Sequence, residues 1–150
     1  MNKDISPVIG IFRHAQAESE GDEFLRPLTP YGIQCAKAQA KVLNTFWPHV
    51  ICSPAERAIQ TASILSGKTP LELDLLYTNG KPSDQVLDEI EYMIKEATSG
   101  ESVLIVTHQP LIAPLIYKLS KQNLGHTSLK AGEGVVIAYD TNLTIYPLSI

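Results

Sequence analysis

The chain has 150 residues, the length of one ordinary domain with a single core. Hydrophobic residues make up 44% and charged residues 19%, which excludes a disordered composition. With 12 basic and 16 acidic residues the formal net charge is -4, which excludes a basic footprint for nucleic acid or for a membrane surface.

Val8 to Phe12 is a continuous apolar run, the pattern of a strand covered on both faces. Residues 13–29 are polar, contain Gly21 and Pro27, and read as loop. Thr29-Pro30 starts a helix. Thr caps it, and Pro takes the first helical position, where a missing N–H costs nothing. Ile33, Ala36, Ala40 and Leu43 follow at helical spacing, and Pro48 is expected to end the element. Val50 to Cys52 is a second apolar run, and Ser53-Pro54 repeats the helix-start signal. One face of that helix is Ala55, Ala58, Ile59, Ala62 and Leu65, with Gly67 closing it.

Leu71 to Leu76 is read as a third strand. Ser83 caps a helix striped by Val86, Ile90, Met93, Ile94 and Ala97, ended by Gly100. Val103 to Val106 is another buried strand. Gln109-Pro110 is expected to start a helix through Leu111, Leu115 and Leu119, bent by the internal Pro114. Val135 to Tyr139 and Leu143 to Tyr146 form two strands around an Asp140-Thr141-Asn142 turn. The alternation of strand and helix predicts an α/β fold with a largely parallel sheet, in a single domain over 1–150.

Cys35 and Cys52 make no disulfide framework and have no partner at metal-ligand spacing. The opening MNKDIS is polar, without a visible secretory signal, and the apolar region Val103 to Leu119 is too broken for a membrane span. The expectation is a soluble, cytoplasmic protein without membrane or nucleic-acid partners.

The expensive residues fall at one place in this scheme. Arg13 and His14 end the first strand, Arg57 lies in the first turn after the second, and Thr107 and His108 end the fourth. In open α/β sheets ligands bind beyond the carboxyl ends of the strands. Helices starting at Pro54 and Pro110 would aim their positive ends at the same edge. Such a pocket suits a compact dianion such as phosphate, whose oxygens match arginine forks. Neutral imidazole is also a nucleophile. Neighbouring arginines are expected to lower the pKa of His14, and His108 to donate hydrogen bonds to equatorial oxygens.

RHA at 13–15, SPAERAIQT at 53–61 and VTHQP at 106–110 resemble the histidine phosphatase superfamily, also called phosphoglycerate mutase-like. With RPLTPYG at 26–32, the chain is most similar to the compact SixA-type phosphohistidine phosphatases. The resemblance runs from Val8 to about Tyr139. It implies a three-layer α/β/α sandwich with no cap domain. His14 would be the phosphorylated nucleophile, and Arg13, Arg57 and His108 would complete the catalytic phosphate pocket. Arg26 would be a further substrate contact. The resemblance implies no metal and no cofactor.

Two positions depart from the family pattern. Ala15 stands where the superfamily usually has glycine, and its methyl is expected to narrow the approach to phosphate. Gln16 stands where the compact branch often has an acid. Larger relatives carry a glutamate acid in an inserted cap. Residues 76–88 are too short for one, which leaves Asp84, Glu18 and Asp22 as candidate acids.

Other readings are weaker. Cysteine phosphatases place five residues between cysteine and arginine, and Cys52 to Arg57 encloses only Ser53, Pro54, Ala55 and Glu56. Cys35 is read as inert, and His49 and His126 as surface or structural residues. The phosphate-loop and dinucleotide motifs are absent. Three functions follow: a phosphatase acting on phosphohistidine in a protein partner, a phosphomonoesterase for small metabolites, or a phosphate-binding module without turnover. Oligomeric state leaves no mark on the sequence.

Overall fold

The computed structural model describes residues 7–122, 129–138 and 142–148. The MNKDIS opening, His126 and residues 139–141 of the expected strand end and turn lie outside the described residues. The apolar runs form the sheet: β1 (Val8–Arg13), β2 (His49–Cys52), β3 (Leu71–Glu72), β4 (Val103–Thr107), β5 (Gly134–Ala138) and β6 (Leu143–Tyr146). The helices are α1 (Pro30–Leu43), α2 (Glu56–Ser66), α3 (Asp84–Thr98) and α4 (Ile112–Ser120).

Strand order is β3-β2-β4-β1-β5-β6. β1 to β4 run parallel, and β5 and β6 add antiparallel strands on one edge. β4 is buried at every position, as an unalternating VLIVT run at the sheet centre requires. Helices cover both faces. Ala58, Ala62 and Leu65 of α2 and Leu43 of α1 pack on one face with Phe12, Trp47 and Val106. Ile90 and Ile94 of α3 and Leu115 and Ile116 of α4 pack on the other with Ile11, Ile105 and Ile137. This is the three-layer α/β/α sandwich expected. The β3-to-α3 connection holds only a single 3₁₀ turn, Asp74–Leu76, so no cap is inserted there. No described helix is long and apolar enough to cross a membrane.

The cap signals hold at two helices. The Thr29 hydroxyl accepts from the Gly32 N–H at 2.9 Å and the Ser83 hydroxyl from Val86 at 3.2 Å. Four expectations are corrected. α1 ends at Leu43, where Asn44 adopts the left-handed conformation that closes helices, several residues before Pro48. The third strand is only Leu71–Glu72, because the chain turns at Asp74. α2 begins at Glu56 after Ala55, which gives no side-chain cap; the Ser53 hydroxyl accepts from the Ala55 N–H at 3.3 Å, ahead of the helix, and meets His108. Residues 108–111 form a turn, closed by the Leu111 N–H on the His108 carbonyl at 3.1 Å, so α4 starts at Ile112 rather than Pro110. Pro114 consequently falls in the first helical turn, where its missing N–H forfeits no bond. The first helical bond of α4 is Leu115 N–H to Leu111 at 3.0 Å.

Candidate active site

The parallel strands deliver their C-terminal ends to one rim, and the chain's three arginines and two of its histidines meet there. A cleft of about 360 Å³ is lined by Arg13, His14, Gln16, Ala17, Arg26, Arg57, His108, Gln109 and Ala131. It unites the five residues expected to form the phosphate pocket, Arg13, His14, Arg26, Arg57 and His108. The His14 and His108 rings lie 5.1 Å apart between centroids.

His14 leaves the end of β1 with its backbone fixed on both sides. Its N–H donates to the Thr107 carbonyl at 3.2 Å, and its carbonyl accepts from Gly132 at 2.9 Å. Gly132 has φ +86°, a backbone that suits glycine. The His14 ring has Nδ1 2.7 Å from the Ala15 carbonyl oxygen. A carbonyl only accepts, so Nδ1 carries the proton, and in the neutral ring Nε2 holds the lone pair. Burial, chiefly, lowers the His14 pKa to about 4, with Arg57, Arg13 and Arg26 adding to the effect against the Ala15 bond. The expected lowering is present, but desolvation outweighs the arginines as its cause.

His108 is 9% exposed, and its Nε2 lies 2.6 Å from the hydroxyl of the fully buried Ser53. Desolvation first, then His14 and Arg57, lowers its pKa to about 3. Both rings are therefore neutral near pH 7. Ser53 is a site residue that sequence reasoning missed, because Ser-Pro reads as a helix cap.

The arginines reach the cleft from three segments. The Arg13 Nη1 donates to the Leu129 carbonyl at 2.9 Å, and its buried Nε has no hydrogen-bond partner among the described residues. Arg57, only 4% exposed, projects from the first turn of α2. Its Nη1 donates to the Glu23 carbonyl at 2.5 Å and its Nη2 to the Glu23 carboxylate at 2.7 Å. Arg26 donates to the Glu18 carbonyl at 2.6 Å and to the Glu23 carboxylate at 3.2 Å. The Tyr77 hydroxyl donates to Glu23 at 2.9 Å, and its ring meets His108 edge-on at 5.3 Å.

The remaining sequence candidates sort out cleanly. Ala15 is fully buried, packed with Leu28 and Ala36, so its methyl points into the core and does not narrow the cleft. Gln16 lines the cleft, its side-chain oxygen accepting from Thr29 at 2.8 Å. Asp22 spends its carboxylate on the Phe24 N–H at 2.9 Å, Glu18 offers the cleft residues only its carbonyl, and Asp84 lies beside Lys118 in a different groove. None of these three lines the cleft; the loop acid that touches the site is Glu23. Cys52 is fully buried, and burial pushes its thiol up to about 12, so it offers no thiolate. Cys35 is buried too.

Residues 9–78 match the family model of the histidine phosphatase superfamily, branch 1. The chain resembles the histidine phosphatases. Solved structures agree in fold. The protein histidine phosphatase SixA complexed with tungstate is 23% identical, with 92% of this chain and 93% of that one covered at a TM-score of 0.70. A SixA-type protein from Nakamurella multipartitia is 23% identical over 99% and 96% of the two chains, with a TM-score of 0.71. The α-ribazole phosphatase from Shigella flexneri is 18% identical over 95% and 96%, also at 0.71. No curated protein sequence matches. The TM-scores show a fold shared with these proteins, without a cap, and the family match over residues 9–78 supports a hydrolase of the phosphatase class.

Proposed function

We propose that the chain is a metal-independent phosphatase that forms a phosphohistidine intermediate on His14 and dephosphorylates phosphohistidine in a protein partner. The observation that carries this reading is the state of His14. A neutral ring with its proton held on Nδ1 by a carbonyl faces a cleft shared with Arg13, Arg57, His108 and Arg26.

In the first step the Nε2 lone pair attacks phosphorus, and the P–N bond to the substrate imidazole breaks. The electrons return to the substrate nitrogen. A substrate ring protonated on its other nitrogen leaves neutral and takes no proton from the enzyme. The Nδ1–H bond to Ala15 strengthens as the His14 ring gains positive character. Water then attacks the phosphorus on His14. Dihydrogen phosphate leaves with both protons of the water, and His14 recovers its original tautomer. Arg13, Arg57 and His108 stabilise the charge on the equatorial oxygens, where one lost contact costs about 10²–10³ in rate.

A nitrogen leaving group fits the acid inventory. Glu23, the acid at the site, is held at about 2, first by the Tyr77 hydroxyl and further by Arg57 and Arg26, so it has no proton to give near neutrality. An alkoxide needs such a proton. The α-ribazole phosphatase among the structural neighbours keeps small phosphomonoesters as the second reading. Turnover of a phosphohistidine protein and of a phosphomonoester panel, both in chelator, tests the choice. Preferred phosphohistidine hydrolysis is expected. Preferred ester hydrolysis, or dependence on added metal, would overturn the reading. A chain that binds phosphate without turnover would be the binding module instead.

A further inference from the structure

Arg57 is a nearly buried cation that must sit still while a phosphoryl group passes it. A buried guanidinium is costly unless it is paired and hydrogen-bonded. Glu23 pairs with it through two atoms, its carbonyl on Nη1 and its carboxylate on Nη2. The same carboxylate is pinned by Tyr77 from the β3-to-α3 connection and by Arg26 from its own loop. The loop is also docked on α2, because the Glu56 N–H donates to the Phe24 carbonyl at 2.8 Å. Arg57 and Arg26 line the cleft and Glu23 does not. The two bonds to Glu23 use one hydrogen on each Nη of Arg57, which leaves three donors of the fork for a bound anion.

We propose that Glu23 is a positioning residue: clamped by Tyr77 and Arg26, it fixes the Arg57 guanidinium in the orientation that receives the phosphoryl group. The inference rests on the reading of Arg57 as a phosphoryl contact. It separates Glu23 from two other roles. A general acid would have to carry a proton, and a stand-in for phosphate would have to occupy the cleft and leave on binding.

The test is a double-mutant cycle read by calorimetric titration with inorganic phosphate. Glu23→Ala is expected to weaken phosphate binding about tenfold in the wild-type background and less than about twofold in the Arg57→Ala background. Glu23→Gln keeps an acceptor for Nη2 and is expected to recover most of the loss. Tyr77→Phe keeps the ring against His108, removes only the anchoring hydroxyl, and is expected to weaken binding about two- to threefold by the same route. It carries the test if Glu23→Ala does not fold. Phosphate bound as tightly or more tightly by Glu23→Ala would overturn the proposal, and so would an equal loss with and without Arg57. Phosphate binding requires no turnover. A chain that shows the cycle yet hydrolyses nothing sinks the phosphatase reading alone, and an active chain without the cycle sinks only this one.

Discussion

Each end of the central sheet presents a histidine at a strand terminus, and the surroundings treat the two differently. At the C-terminal rim His14 is mostly buried, faces a cleft lined by Arg13, Arg26, Arg57 and His108, and is held neutral to about pH 4. At the N-terminal rim His49 begins β2 with a side chain 31% exposed, pairing with Glu101 at 2.9 Å. The groove that His49 lines, about 320 Å³, is walled largely by apolar side chains such as Val50, Ile51, Leu71, Leu73 and Val103. The residue type is the same and the chemistry on offer is not. Desolvation combined with a ring of cations keeps an imidazole neutral and available as a nucleophile at neutral pH, while an imidazole beside a surface carboxylate gains only a surface hydrogen bond.

The sharpest way to break this contrast is to remove the His14 ring, the proposed nucleophile. His14→Ala is expected to lower turnover by at least about 10⁴-fold and to abolish the acid-labile, base-stable phosphoprotein seen after acid quenching. Residual turnover within tenfold of wild type would refute the assignment. Next in size are Arg57→Ala and His108→Ala, each expected to lower kcat/KM by about 10²–10³, as measured by steady-state kinetics.

A third effect is thermodynamic. His14 and His108 have folded pKa values of about 4 and about 3, below their ordinary 6.5. As pH falls from 6.5 the unfolded chain takes up these protons first. The stability tied to the two rings is therefore full above about 6.5 and is lost as pH falls toward 4 and then 3. Urea unfolding midpoints should fall over that window, and a His14→Asn, His108→Gln double variant should show a shallower fall. The smallest effect is expected at the other rim: His49→Gln should change kcat/KM by less than about twofold, since exposed ion pairs contribute little.

The sequence made Arg13, His14, Arg57 and His108 legible for one reason. Each stands at a strand-to-helix junction on the same side of a parallel sheet, so element order alone places them together. Glu23 was not legible. It is one of four acids between positions 18 and 23, and only the fold shows which of them reaches Arg57. Ser53 was hidden by ambiguity, since a serine before proline caps helices more often than it orients a histidine. The start of α4 was misplaced because a proline suits a tight turn as well as a first helical position. The Ala15 methyl was assigned to the wrong side, because its direction depends on how the segment after β1 is pinned.

That pinning runs through one oxygen. The Thr61 hydroxyl accepts from the Ala15 N–H at 2.9 Å and donates to the Arg57 carbonyl at 2.8 Å. The segment bearing His14 and the helix bearing Arg57 thus share a common fastener. That one oxygen ties the placement of the backbone after β1 to the first turn of α2, so replacing Thr61 by Val would cut the link between the two sides of the cleft.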